Sequence, residues 1–117
     1  MIRILNTSAA DMLAALPESA ALVHADPPWN YHNTGTEGSA QANYDGMSCE
    51  EIARDVDAAW DRAAPSAYLA LWATFPLLAE WMAVSPSMRW EYVSGATWGK
   101  TGRLGVGFHF RGDSEIL

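Results

Sequence analysis

A chain of 117 residues and 12.7 kDa holds one domain or a piece of one, since a second would lack the residues for its own core. Half of the residues are hydrophobic and 18% are charged, so a packed globular core is expected and wholesale disorder is excluded. Seven basic against 14 acidic residues give a formal charge of -7, which argues against sequence-independent attraction to phosphates.

In chain order, Ile2, Ile4 and Leu5 form a short apolar start, and Ser8 with Asp11 three residues on resembles a capping box opening a helix that stops before Pro17. A buried strand is expected over Ala20–Ala25. Residues 26–47 are rich in Pro, Gly, Asn, Thr and Tyr and read as a long loop, a kind of segment that often carries function. Ser48 with Glu51 is a second capping box. The helix it opens should place Ile52, Val56, Ala59, Trp60 and Ala63 on one face and end near Pro65. Residues 68–73 carry no charge and suit a strand buried on both faces, and Pro76 then starts a helix carrying Leu77, Leu78, Trp81 and Met82. Residues 90–98 read as a further strand, Gly102, Gly105 and Gly107 as a turn-rich segment, and the stretch near Ser114 as a last strand.

Strands alternating with helices predict an α/β layout with a mostly parallel sheet and helices on both faces. The longest uncharged run, residues 63–79, is interrupted by Pro65 and Pro76 and falls short of the roughly 20 apolar residues of a membrane span. No membrane association is expected. Without a charged and apolar leader at the N-terminus, the cytoplasm is the expected location. Cys49 is the single cysteine, which excludes an internal disulfide and any multi-cysteine zinc site. It stands just inside a helix start, yet no catalytic partner neighbours it, so an inert thiol is favoured.

The chemistry lies in Asp26, Pro27, Pro28 and Trp29, where a buried strand opens into the long loop. In open α/β sheets, ligands bind at that carboxyl end. Pro27 forces Asp26 into an extended conformation, and two successive prolines remove both amide donors, leaving a stiff lip of acceptors. A flat base with an exocyclic amine presents two N–H donors. Asp26 can accept one and a proline carbonyl the other, while Trp29 or Tyr31 stacks on the ring. Adenine fits such a site. Holding both hydrogens out of the ring plane favours the tetrahedral geometry needed for attack on an electrophilic methyl, and no metal is required. The plainer alternative is a Pro-Pro turn with Asp26 capping a neighbour and Trp29 plugging the end of the sheet.

With these residues the sequence resembles the MT-A70-type adenine-N6 methyltransferases, which use S-adenosyl-L-methionine and modify adenine in DNA or RNA. Ala25-Asp26-Pro27-Pro28-Trp29 is similar to the family's signature. Tyr44-Asp45-Gly46-Met47-Ser48 before Glu51-Ile52 resembles its lead into a helix, and Leu71-Trp72-Ala73-Thr74 its following strand. Trp98-Gly99-Lys100 resembles its tryptophan-x-lysine, and Gly105-Val106-Gly107 with Arg111, Glu115 and Leu117 its glycine-rich segment and final hairpin strand. The resemblance implies a Rossmann-like fold in which Asp26, Pro27 and Pro28 hold the target amine and Trp29 and Tyr31 shape the base pocket. It further implies that Lys100 lies near the reacting groups, that Tyr44, Lys100 and Arg111 belong to the substrate side, and that Ala25, Asp26, Lys100 and Glu115 face the cofactor. In this family the strands completing the sheet and much of the cofactor-binding half follow the glycine-rich segment. Residues 1–117 are therefore expected to be a partial methyltransferase domain, its catalytic-motif half. The strand before Asp26 would then present an unpaired apolar edge, so a homo- or hetero-oligomer is expected.

Two other readings stand beside this one. A binding subunit of the same fold without catalysis would keep the layout. His24, Asp26 and His109 formally match the two-histidine, one-carboxylate triad of non-haem iron oxygenases, but those place the triad on an all-β scaffold, and the bland roles of the two histidines, strand and surface turn, are favoured. Lys100, Arg103 and Arg111 form the one basic stretch, suited equally to phosphate contact or to plain solvation. The glycines from Gly102 to Gly107 have the wrong spacing for a dinucleotide fingerprint. Trp60, Trp72, Trp81 and Trp90 fall on predicted apolar faces and are expected in the core.

Overall fold

The computed structural model of the chain describes residues 2, 4–16, 19–31, 45–99 and 114–117. Within them lie helices α1 (Ala9–Ala14), α2 (Cys49–Ala58) and α3 (Leu78–Val84) and strands β1 (Ala20–Ala25), β2 (Ala63–Leu71), β3 (Thr97–Gly99) and β4 (Ser114–Ile116). The architecture is a small mixed α/β one. β1 and β2 pair in parallel, β3 and β4 antiparallel, and an isolated bridge between Ala73 and Ile116 ties the second pair to the end of the first. Among the described residues parallel and antiparallel pairs are thus equal in number, where a mostly parallel sheet was expected. None of the described helices is long and apolar enough to cross a membrane.

The starts of α1 and α2 follow from their caps. Ser48 Oγ accepts the Glu51 amide at 3.2 Å while Glu51 Oε2 accepts the Ser48 amide at 2.9 Å, so two donors that the first turn would leave orphaned are satisfied reciprocally. These bonds hold the Glu51 carboxyl below its ordinary range. At α1 the match is partial, because Asp11 accepts the hydroxyls of Ser8 and Thr7 instead of the Ser8 amide. Ser48→Ala should cost about 1 kcal/mol, the usual cost of losing such a cap. Urea unfolding followed by circular dichroism would read it, and an unchanged midpoint would mean that packing alone sets the helix start.

The core lies between α2, α3 and one face of the sheet. Ile52, Ala53 and Val56 of α2, Trp81 of α3, and Ala73 and Leu77 are buried together with Trp29, and Ala25, Leu69 and Leu71 pack against them from the strands. Burying a large aliphatic or aromatic side chain is worth about 1.5–3 kcal/mol, so this cluster is the main source of stability.

Several expectations are corrected here. The second helix ends at Ala58 and a 3-10 turn over Ala59–Arg62 leads straight into β2, so Pro65 lies inside a strand. The register explains how: pairing jumps from Ala20↔Ala63 to Leu22↔Tyr68, leaving residues 64–67 bulged where the amide Pro65 lacks is not needed. Trp60 is 41% exposed rather than core, because the tighter turn rotates it off the buried face of α2. Residues 91–95 are exposed and irregular, and of the expected third strand only its end pairs, residues 97 and 98 within β3 and Ala96 through mutual backbone bonds with Leu117 at 2.9 and 2.8 Å. Finally, β1 and β2 are not buried on both faces. Leu22 is 61% and Tyr68 71% exposed, on the side opposite α2 and α3, and the expected second helical layer is not found among the described residues.

The segment after α3 is fixed by Arg89. Its amide and Nε bond the two carboxylate oxygens of Asp57 at 2.8 and 3.0 Å, and Nη1 bonds Asp61 at 2.7 Å. The guanidinium holds the Asp61 carboxyl below its ordinary range, and Asp61 raises the Arg89 pKa in turn. Nearby, Trp90 Nε1 donates to the Val56 carbonyl, and its ring stands edge-on to Trp60 at 5.0 Å.

Candidate functional site

The site is built on the carboxyl edge of the parallel pair. The ladder between β1 and β2 runs one step past the strands, the Trp72 amide donating to the Ala25 carbonyl at 2.9 Å, so Asp26 emerges beside residues 72–74. Ala73 then exchanges backbone bonds with Ile116 at 2.6 and 3.1 Å, bringing the end of β4 to the same edge. Asp26 is exposed, Pro27 and Pro28 half-buried. No described residue bonds or ion-pairs with the Asp26 carboxylate, which leaves its acceptors open.

The lip is held from below by a stitch that sequence reasoning did not identify. The Met47 amide donates to the Pro28 carbonyl at 2.7 Å and the Asn30 amide to the Met47 carbonyl at 3.0 Å, forming a parallel bridge between Trp29 and Met47. Pro28 C=O is therefore engaged, and of the two proline carbonyls weighed as partners for an amine, Pro27 C=O is the open one among the described residues. The stitch requires Gly46: a Cβ there would lie 2.7 Å from Asn30 Cα and 2.8 Å from Asn30 Cβ, closer than real contacts allow. A glycine two residues before a capping serine is the signal that could have found it.

Trp29 sits 4% exposed in the core. Its Nε1 donates to the Trp72 carbonyl at 3.0 Å, and its ring meets Trp81 edge to face at 5.4 Å and 87°. Of the two roles open to it, the geometry gives Trp29 the plug at the end of the sheet, and Tyr31, half-buried against the same cluster, is the aromatic left to border a base. Ala25 packs against the core directly below Asp26. Glu115 lies in β4 opposite Trp98 and alternates with Ile116, which packs on the core. Tyr44, Lys100 and Arg111 lie outside the described residues, as do Arg103, His109 and the glycines between 102 and 107. His24, on the other hand, points its ring at Trp72, with centroids 6.4 Å apart. Among the described residues no three His, Cys, Asp or Glu side chains come together in a metal-binding group. One further polar atom at this edge was not anticipated: Thr74 Oγ1, just past β2, is buried and has no hydrogen-bond partner among the described residues.

Cys49, the first residue of α2, is 1% exposed. Burial, reinforced by its hydrogen bond to Glu80 and the charges of Glu80 and Glu50, pushes the thiol up to about 11. At pH 8 that leaves a thiolate fraction about a hundredfold below that of a thiol with the usual value. Native chain should therefore resist iodoacetamide at pH 8 and react once unfolded in urea, as followed by mass spectrometry. Rapid stoichiometric labelling of the folded chain would contradict the burial.

Comparison with protein-family models and with curated proteins gives no match for this chain.

Proposed function

We propose that the chain carries the target-amine lip of a Rossmann-like adenine-N6 methyltransferase that acts on DNA or RNA with S-adenosyl-L-methionine. The observation that supports this most directly is an exposed Asp26 carboxylate, free of partners among the described residues, on a rigid Pro-Pro turn at the carboxyl edge of a parallel strand pair. Asp26 and the Pro27 carbonyl are two acceptors on one stiff segment, matched to the two N–H donors of an exocyclic amine. Accepting both hydrogens withdraws the nitrogen lone pair from the ring and readies it as a nucleophile. As positive charge develops on that nitrogen, the Asp26 carboxylate stabilises it, and the stabilisation grows toward the transition state. A base pocket bordered by Tyr31 would hold the ring while the nucleotide is out of its stack.

The acceptor-rich lip also fits a cationic, amine-bearing cofactor, with Ala25 and Asp26 at the strand end and Glu115 in β4 as the described residues on its side. When bound, S-adenosyl-L-methionine supplies an electrophilic methyl group. The test is incubation of the chain with labelled cofactor and two oligonucleotides, one with adenine and one with purine lacking the 6-amino group. Label on the adenine strand alone supports the reading. Equal label on both, or none on either under conditions where cofactor binding is measured by calorimetry, removes it.

A further inference from the structure

Two successive prolines cannot anchor themselves. Pro27 and Pro28 have no amide to donate, so the backbone beyond Asp26 is tied down through carbonyls and through the amides that follow. Two such ties meet at one residue: Pro28 C=O accepts the Met47 amide at 2.7 Å, and the Asn30 amide donates to Met47 C=O at 3.0 Å. That second carbonyl belongs to the peptide unit joining Met47 to Ser48. The same unit is also held at its other end, because its N–H is the Ser48 amide, which Glu51 Oε2 accepts at 2.9 Å. One peptide plane therefore gives its carbonyl to the lip and its amide to an acid on α2.

A peptide group whose N–H is bonded to an anion is a stronger acceptor at its C=O, since hydrogen bonds in a chain polarise one another. The Ser48 amide is the largest cause of the Glu51 carboxyl lying below its ordinary range, so this acceptor is ionised at neutral pH. Ser48 Oγ does something different. It accepts the Glu51 amide at 3.2 Å, a bond inside the first turn of α2 that leaves the Met47 to Ser48 peptide untouched. The two halves of the capping box are thus separable, one serving the helix and one reaching toward the site. We infer that Glu51 is a positioning residue of the Asp26 lip, its carboxylate fixing the Met47 to Ser48 peptide that bonds Asn30 and Pro28. What the lip holds rests on the methyl-transfer reading, whereas how it is held does not.

Amide hydrogen exchange of the chain without any ligand, followed by NMR, is the test. The Trp72 amide, bonded to the Ala25 carbonyl, reports the rest of the fold. Glu51→Ala should speed exchange at the Asn30 amide by about fivefold or more relative to Trp72, the effect of losing one charge-assisted bond from a local network. Because Glu51 is exposed, the variant should keep its circular dichroism. Glu51→Gln retains an oxygen for the Ser48 amide and should bring Asn30 back to within about twofold of the parent. Ser48→Ala removes the other cap bond and should move Asn30 and Trp72 together. No selective acceleration by Glu51→Ala, or an equal one by Ser48→Ala, would reduce Glu51 to a plain helix cap and overturn the inference. In the methylation assay, Glu51→Ala should slow the single-turnover step by about tenfold, as misplacement of a reacting group does, with Glu51→Gln recovering it. Parental rates for Glu51→Ala would likewise overturn the inference. A parent chain that binds cofactor and transfers no methyl removes the methyl-transfer reading instead, and the exchange result alone then decides whether Glu51 holds the lip.

Discussion

Asp26→Asn should reduce single-turnover methylation of an adenine-containing oligonucleotide by about a hundredfold or more, the range seen when one preorganised electrostatic partner of a developing charge is removed. The fold should be untouched, since no described residue hydrogen-bonds or ion-pairs with that carboxylate and the side chain is exposed. Asparagine keeps the shape and one acceptor, but its NH2 places a donor against the donors of the amine. It also removes the negative charge. A charge-assisted hydrogen bond is about twice as strong as a neutral one, and the amine gains charge only on the way to the transition state, so kcat should fall more than KM rises. Near-parental rates with Asp26→Asn would take Asp26 out of the chemistry, and with it the argument for an amine-directed methyl transfer.

Trp29→Ala should act on the fold before it acts on any ligand. Truncating a buried tryptophan costs about 3–5 kcal/mol. Here the loss includes the edge-to-face contact with Trp81, and it strips the Trp72 carbonyl of its indole donor. Against the roughly 5–15 kcal/mol that holds a domain together, that is enough to lower the urea midpoint sharply or to unfold the chain. Trp29→Phe keeps a ring against Trp81 and gives up the N–H, so its cost should be nearer the 1–3 kcal/mol of one unsatisfied buried acceptor. The pair of variants separates packing from hydrogen bonding. A Trp29→Ala chain as stable as its parent but weakened only in adenine binding would return the indole to the base pocket.

The elements with strong local signals were legible in the sequence. Ala20–Ala25 is the strand expected, and the caps at Ser8 and Ser48 fix the starts of α1 and α2. What misled was the assumption that a proline ends a helix and not that a strand can swallow it. Pro65 sits in a bulge of β2, and no single-residue rule anticipates a bulge. An apolar pattern alone likewise points Trp60 at the core, and pattern does not say which face of a turn another layer covers. At the site, the position of Asp26 could be read because a strand end followed by two prolines leaves few conformations. Trp29 could not be, because adjacent residues on an extended chain point opposite ways, and whether an indole faces the core or the pocket depends on Trp72 and Trp81, both more than 40 residues away. The Gly46 to Asn30 approach is of the same kind: a long-range fit whose local trace is one glycine.

That approach bears on how the site can change. Because Met47 is bonded both to Pro28 and to Asn30, the chain leaves the lip and rejoins it at one point. The turn that carries Asp26 is therefore clamped to the cap of α2, and a shift of Met47 or Ser48 would be transmitted to the Pro28 carbonyl.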